Sequence, residues 1–131
     1  MVKKTKKPDD IYLQRVAGAV LNLVGRENSS LDICFLPDKK MRELEKVYMK
    51  KEKKEVDVLS FPEISDFPHP EKEDFLGQIF INKNLATKAD LERVKHLAVH
   101  GVLHLLGYNH EQESDTIIME KLEDELLGQL S

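Results

Sequence analysis

Three of the five histidines fall within eleven residues, in the stretch H-G-V-L-H-L-L-G-Y-N-H that runs from His100 to His110. In a helix, His100 and His104 are four residues apart, so their rings lie on one face, one turn above the other. Gly107 follows, the residue best suited to the left-handed conformation that ends a helix and reverses the chain. A reversal there brings His110 back toward the first two imidazoles. Three neutral imidazoles with no fourth protein ligand nearby in sequence suit a catalytic zinc, which keeps one position open for water. A structural site would be closed by four ligands, often cysteines, and the chain has one cysteine. The expectation is therefore one Zn2+ ion, or another divalent metal, on His100, His104 and His110. His96 is also four residues from His100, but three ligands along one straight helix do not surround an ion tetrahedrally, so His96 is left outside the set. His69 lies in a proline-rich stretch and reads as surface.

The elements that must position these residues follow from hydrophobic periodicity. Thr87 and Asp90 fit a capping box with Asp in place of Glu and predict the start of the histidine helix. Leu91, Val94, Ala98, Val102 and Leu105 then face one way, with the histidines on an adjacent face beside Leu97. Before it, Pro8 to Asp10 open a helix whose apolar face holds Ile11, Leu13, Val16, Ala17, Val20, Leu21 and Val24. Leu31, Ile33 and Phe35 alternate with polar residues as a strand does. Cys34 within it reads as a small packed side chain. Pro37 and Asp38 open a second helix that sends Met41, Leu44, Val47 and Tyr48 toward a core. V-D-V-L-S-F-P reads as a short strand that Pro62 keeps from continuing as an interior one. Leu76, Ile79 and Ile81 form another, ending near Asn82, and Gly77 marks a bulge or a close backbone approach. A last helix carries Ile118, Leu122 and Leu126, and Met119 reads as core filler.

These elements predict one α+β or α/β domain spanning residues 1–131. It is a small mixed β-sheet packed with about four helices, with the three-histidine metal site at the end of a central helix. At 131 residues one core is expected, and 40% apolar with 34% charged residues describes a folded, soluble chain. Apolar runs fall far short of a membrane span. The N-terminus has no apolar stretch of the kind a secretory signal needs. With a lone cysteine this makes the cytoplasm the default compartment. The net charge of -4 hides an asymmetry: residues 1–54 hold 14 Lys and Arg against 8 Asp and Glu, and residues 55–131 hold 6 against 16. The basic half permits an anionic polymer as partner without demanding one.

The histidine string resembles the zinc signature of metzincin peptidases, H-E-x-x-H-x-x-G-x-x-H. It departs where that chemistry takes its base, since position 101 is Gly rather than Glu. It is much more similar to the YbeY family of bacterial ribosomal-RNA maturation endoribonucleases, whose signature is close to H-G-x-L-H-L-x-G-Y-D-H. Here the match is His100, Gly101, Leu103, His104, Leu105, Gly107, Tyr108 and His110, with Asn109 in place of Asp. A second segment, near T-D-V-L-S-F-P, matches from Val56 to Pro62. A third, near L-G-D-I, matches Leu76, Gly77 and Ile79, with Gln78 in place of Asp. The resemblance runs in register from about residue 31 to Leu127. The family's Arg ahead of the second segment has no counterpart, Met49 or Lys50 taking its place.

The resemblance implies a metal-dependent endoribonuclease that hydrolyses RNA phosphodiesters in rRNA processing, at the 3′ end of 16S rRNA. Its implied partners are precursor ribosomal RNA and the small ribosomal subunit or assembly factors, with no membrane. Zinc on His100, His104 and His110 would activate water, with Asp57 as a candidate protein contributor to proton transfer. Lys50, Lys51, Lys53 and Lys54 are candidate phosphate contacts. Ser60 is a candidate for orienting substrate, since nothing in the sequence equips it as a nucleophile. A ribosome-assembly or RNA-binding factor with a mainly structural zinc is the competing reading, and a metzincin-like metallopeptidase the lesser one.

Overall fold

A computed structural model describes residues 8–49, 56–63, 74–108 and 113–130. Helix α1 (Pro8–Leu23) leads into strand β1 (Ser29–Leu36), and α2 (Asp38–Leu44) continues into a π-helical turn at Glu45–Met49. Strands β2 (Val58–Pro62) and β3 (Asp74–Asn82) follow, then two 3-10 turns, helix α3 (Leu91–Leu105) and helix α4 (Glu113–Gln129). The sheet is mixed, in the order β1-β3-β2, with β1 parallel and β2 antiparallel to the central β3. Sheet and helices thus agree with the sequence expectation in kind and number. No helix among the described residues is long and apolar enough to cross a membrane.

Strand alternation divides the packing. Ile33, Ile79 and Ile81 point to one face, where α1 contributes Leu13 and Val20 and α3 contributes Val99, Val102 and Leu103, all buried. Met119 of α4 joins this core, as its reading as filler requires. Leu59 and Phe80, paired across β2 and β3, face the other side, where Met41 and Val56 complete a smaller cluster. Burying side chains of this size contributes about 1.5–3 kcal/mol each before entropy is counted, so the larger face dominates stability.

Four expectations are corrected in detail. Val47 and Tyr48 are 66% and 65% exposed rather than turned to a core. The π-helical turn accounts for this: its wider winding shifts the helical register, bringing Glu45 inside and rotating Val47 and Tyr48 out. Ile118 is exposed and Met119 takes its place in the core, while Leu122 and Leu126 pack inward as expected. Leu91 and Ile11 are exposed at helix starts. The Thr87 hydroxyl does bond to the Asp90 carboxylate at 3.0 Å, but a 3-10 turn at Lys88–Asp90 intervenes before α3 begins.

Gly77 is where the sheet is irregular. Between Ser30 and Asp32 the register with β3 shifts, and Gly77 takes φ +140° while crossing close to β2. A side chain there would run into the Phe61 carbonyl oxygen and the backbone of Pro62, so this position requires glycine. At the far end of β3, buried Asn82 donates to the Asp38 carboxylate at 2.8 Å and to the Val56 carbonyl at 3.0 Å, and accepts from the Asn84 amide at 2.9 Å. This one side chain ties α2, the approach to β2, and the turn after β3. Two polar side chains of α1 meet β1 directly: Asp10 accepts from the Phe35 amide at 3.0 Å and Gln14 donates to the Ile33 carbonyl at 3.3 Å.

Candidate functional site

Helix α3 packs on β2 and β3, and Gly101 lies against a residue of each. A Cβ there would sit 2.9 Å from Ile79 Cγ2 and 3.2 Å from Ser60 Oγ. The position that a peptidase fills with glutamate therefore has no room for a side chain, and it faces the sheet. His100 and His104, on the neighbouring stripe, are half-buried, which agrees with the adjacent face read from their spacing. After Leu105 the helix closes with the Gly107 amide on the His104 carbonyl and the Tyr108 amide on the Leu103 carbonyl, both at 3.0 Å, with Gly107 at φ +104°. That is the C-terminal motif a glycine permits, and it supplies the expected reversal.

The partner of the histidines comes from α4. Glu123 is only 4% exposed, and its two carboxylate oxygens take one ring each: Oε2 meets His96 Nε2 and Oε1 meets His100 Nδ1, both at 2.7 Å. His100 Nε2 lies 2.9 Å from His104 Nε2, the rings edge to face with centroids 4.4 Å apart. This network sets the proton positions of the neutral state. His100 Nδ1–H donates to Glu123 Oε1, which leaves Nε2 as an acceptor, so His104 donates from Nε2. Burial works to raise the Glu123 pKa, but the hydrogen bonds from His96 and His100 outweigh it, and the carboxyl stays below the ordinary glutamate range.

Beside this cluster is an open cavity of about 490 Å³, lined by Arg93, His96, His100, Glu120, Glu123 and Asp124 together with apolar Val58 and Leu97. It is large enough for part of a nucleotide, and the His100 ring faces it. Asp57, just ahead of β2, is paired with Arg93 at its rim. Ser60 Oγ on β2 faces Gly101 of α3.

The expected zinc centre is corrected. Among the described residues no group of three or more His, Cys, Asp and Glu side chains is arranged to hold a metal ion. Instead the His100 and His104 nitrogens are engaged with each other and with Glu123, and no buried side-chain nitrogen or oxygen among the described residues lacks a partner. The described donors therefore do not form the Zn2+ site, nor the three-histidine metal centre that the expected fold carried at the end of its central helix. The third expected ligand, His110, lies outside the described residues, as do Lys50, Lys51, Lys53 and Lys54. His96 and Glu123 are the members that sequence reasoning left out. Their signal was present: two histidines four apart on α3, and an acid four residues after Met119 on the inward stripe of α4.

Comparison with known proteins agrees with the motif pattern. The chain matches the family described as Endoribonuclease YbeY over residues 2–131. It is 36% identical to Endoribonuclease YbeY of Aquifex aeolicus across 99% of this chain and 89% of that protein. To the proteins of the same description from Acholeplasma laidlawii and Bartonella henselae it is 36% and 32% identical, across 79% and 90% of this chain and 76% and 80% of theirs. A match that begins at the second residue and ends at the last embraces the Val56–Pro62 segment, the Gly77 crossing and the histidine helix together, and the chain belongs to the YbeY endoribonuclease family.

Proposed function

We propose that the chain is an endoribonuclease of ribosomal RNA processing, that its substrate is precursor small-subunit rRNA cut at the 3′ end, and that the cut is made beside His100. Membership of the family supports nuclease-type activity and an RNA-related role in general. The particular substrate and step are our reading. The observation that carries it is a buried carboxylate holding two imidazoles at the wall of a cavity sized for part of a nucleotide.

In this mechanism a water molecule attacks the phosphorus and its proton passes to His100 Nε2. Glu123, hydrogen-bonded to Nδ1, keeps the ring in the tautomer whose Nε2 is an acceptor and stabilises the imidazolium that forms. The bond from phosphorus to the leaving oxygen breaks as the new one forms, and the imidazolium returns the proton to that oxygen. In the resting site the His104 Nε2–H occupies His100 Nε2 at 2.9 Å, and this contact opens when the attacking water takes its place. General acid–base help of this kind contributes about 10² to 10⁴ in rate.

The test is incubation of the purified protein and its His100→Ala variant with a precursor 16S 3′-end transcript. Site-specific cleavage by the wild type and its loss in the variant are expected. Salt-sensitive binding of the transcript with no product would overturn the reading in favour of an RNA-binding assembly factor.

A further inference from the structure

The cavity presents an electrostatic problem for an RNA substrate. Glu120, Glu123 and Asp124 of α4 line one wall, and Arg93 is the one Lys or Arg among the described residues that line it. Arg93 stands seven residues before His100 on α3, two helical turns away on the same face, about 10 Å along the axis. Its side chain is 52% exposed, and its Nη2 contacts the Asp57 carboxylate, itself 26% exposed. Asp57 is fixed in turn by its backbone, whose carbonyl accepts from the Asn82 amide at 2.9 Å. An ion pair this open to water contributes little to stability, so it does not explain itself as a structural link. A guanidinium carries five N–H donors in a planar fork that suits phosphate.

We propose that Arg93 is a phosphate-binding residue at the mouth of the cavity, holding an RNA phosphodiester adjacent to the one cut, with Asp57 keeping the guanidinium extended toward that mouth. This deepens the nuclease reading and rests on it. Asp57 draws the cation toward β2 and away from the three carboxylates of α4, so that it meets the incoming backbone rather than collapsing onto the opposite wall. Because its α-carbon lies two turns from the ring that takes the proton, Arg93 acts on the binding of the strand and not on charge developing at the reacting phosphorus.

The experiment uses a single-stranded oligonucleotide containing the cleaved junction. Arg93→Ala is expected to raise KM about tenfold, the effect of losing one charge-assisted phosphate contact, with kcat within about twofold. Arg93→Lys, a point charge without the fork, is expected to fall between the two. In a background of His100→Ala, where the strand is bound but not cut, Arg93→Ala is expected to reduce the slope of log affinity against log salt by about 0.7. Arg26→Ala removes another exposed pair, with Asp74 at the opposite end of β3, and is expected to leave KM unchanged. A fall in kcat at constant KM, an unchanged salt slope, or an equal effect of Arg26→Ala would each overturn the assignment. If the wild type binds the strand but does not cut it, the nuclease reading fails while the salt slopes still decide the role of Arg93.

Discussion

Asp38 and Glu123 are both held below the ordinary carboxylate range by hydrogen bonds, yet they secure different things. For Asp38 the donors are Arg42, one turn along α2 at 2.8 Å, and buried Asn82, whose other bonds go to the backbone around β2 and β3. Asn82 in that network joins elements, and Arg42 braces the carboxylate from within α2. For Glu123 burial opposes ionisation, and the donors that overcome it are two imidazoles whose rings stand beside a cavity. The same electrostatic direction therefore marks a joint in one place and a candidate for proton transfer in the other. What separates them is the chemistry of the partner: an amide and a guanidinium hold position, whereas an imidazole can change charge near neutral pH.

The comparison breaks first at His100. His100→Ala should reduce cleavage by about 10² to 10⁴ and also lower Tm, because buried Glu123 loses one of its two imidazole donors, measured by transcript cleavage and thermal unfolding on one preparation. Glu123→Gln comes next. It keeps the shape but removes the charge that stabilises the imidazolium, so a loss on the order of 10²-fold is expected. Equal activity of Glu123→Gln and wild type would place Glu123 with Asp38 as a joint. Gly101→Ala tests the seam between the two: it gains about 1 kcal/mol of helix propensity but forces Ile79 to move, which typically costs about 1–3 kcal/mol. A net loss on the order of 1 kcal/mol in denaturant unfolding is expected. Asp38→Asn should be the mildest, lowering Tm without changing kcat or KM.

Acid sharpens the same contrast. A carboxyl whose pKa is lower folded than unfolded contributes stability that is complete above the unfolded value, about 4, and is lost as the pH falls toward the folded value. Both carboxyls have this sign, so wild-type unfolding free energy should fall below about pH 4. Asp38→Asn and Glu123→Gln should each flatten that fall, as denaturant titrations at stepped pH would show. An unaltered acid limb in either variant would mean that its hydrogen bonds do not bias folding.

Much of this architecture was legible because hydrophobic spacing and backbone chemistry act locally. The 3.6-residue period of α1 and α3, the alternation of β1, the glycine crossing at Gly77 and the turn at Gly107 all follow from rules that a short window of sequence obeys. What was hidden depends on long-range pairing. Nothing local sends Glu123 inward in place of an exposed Ile118. It is drawn there by two rings more than twenty residues earlier, and an acid on an apolar stripe becomes favourable only once those donors are in place. Val47 and Tyr48 were misjudged because one π-helical turn shifts everything after it. The zinc expectation took convergence from spacing alone, whereas the described imidazole nitrogens meet each other and a carboxylate.

The contacts of Asp10 and Gln14 with β1 bear on how this chain behaves in company. The Phe35 amide and the Ile33 carbonyl are groups that a foreign strand would need in order to extend the sheet past β1, and α1 already occupies both. That border is closed to strand addition at these two groups without a proline or a row of lysines along it. The first two turns of the opening helix thus serve as an edge guard for β1.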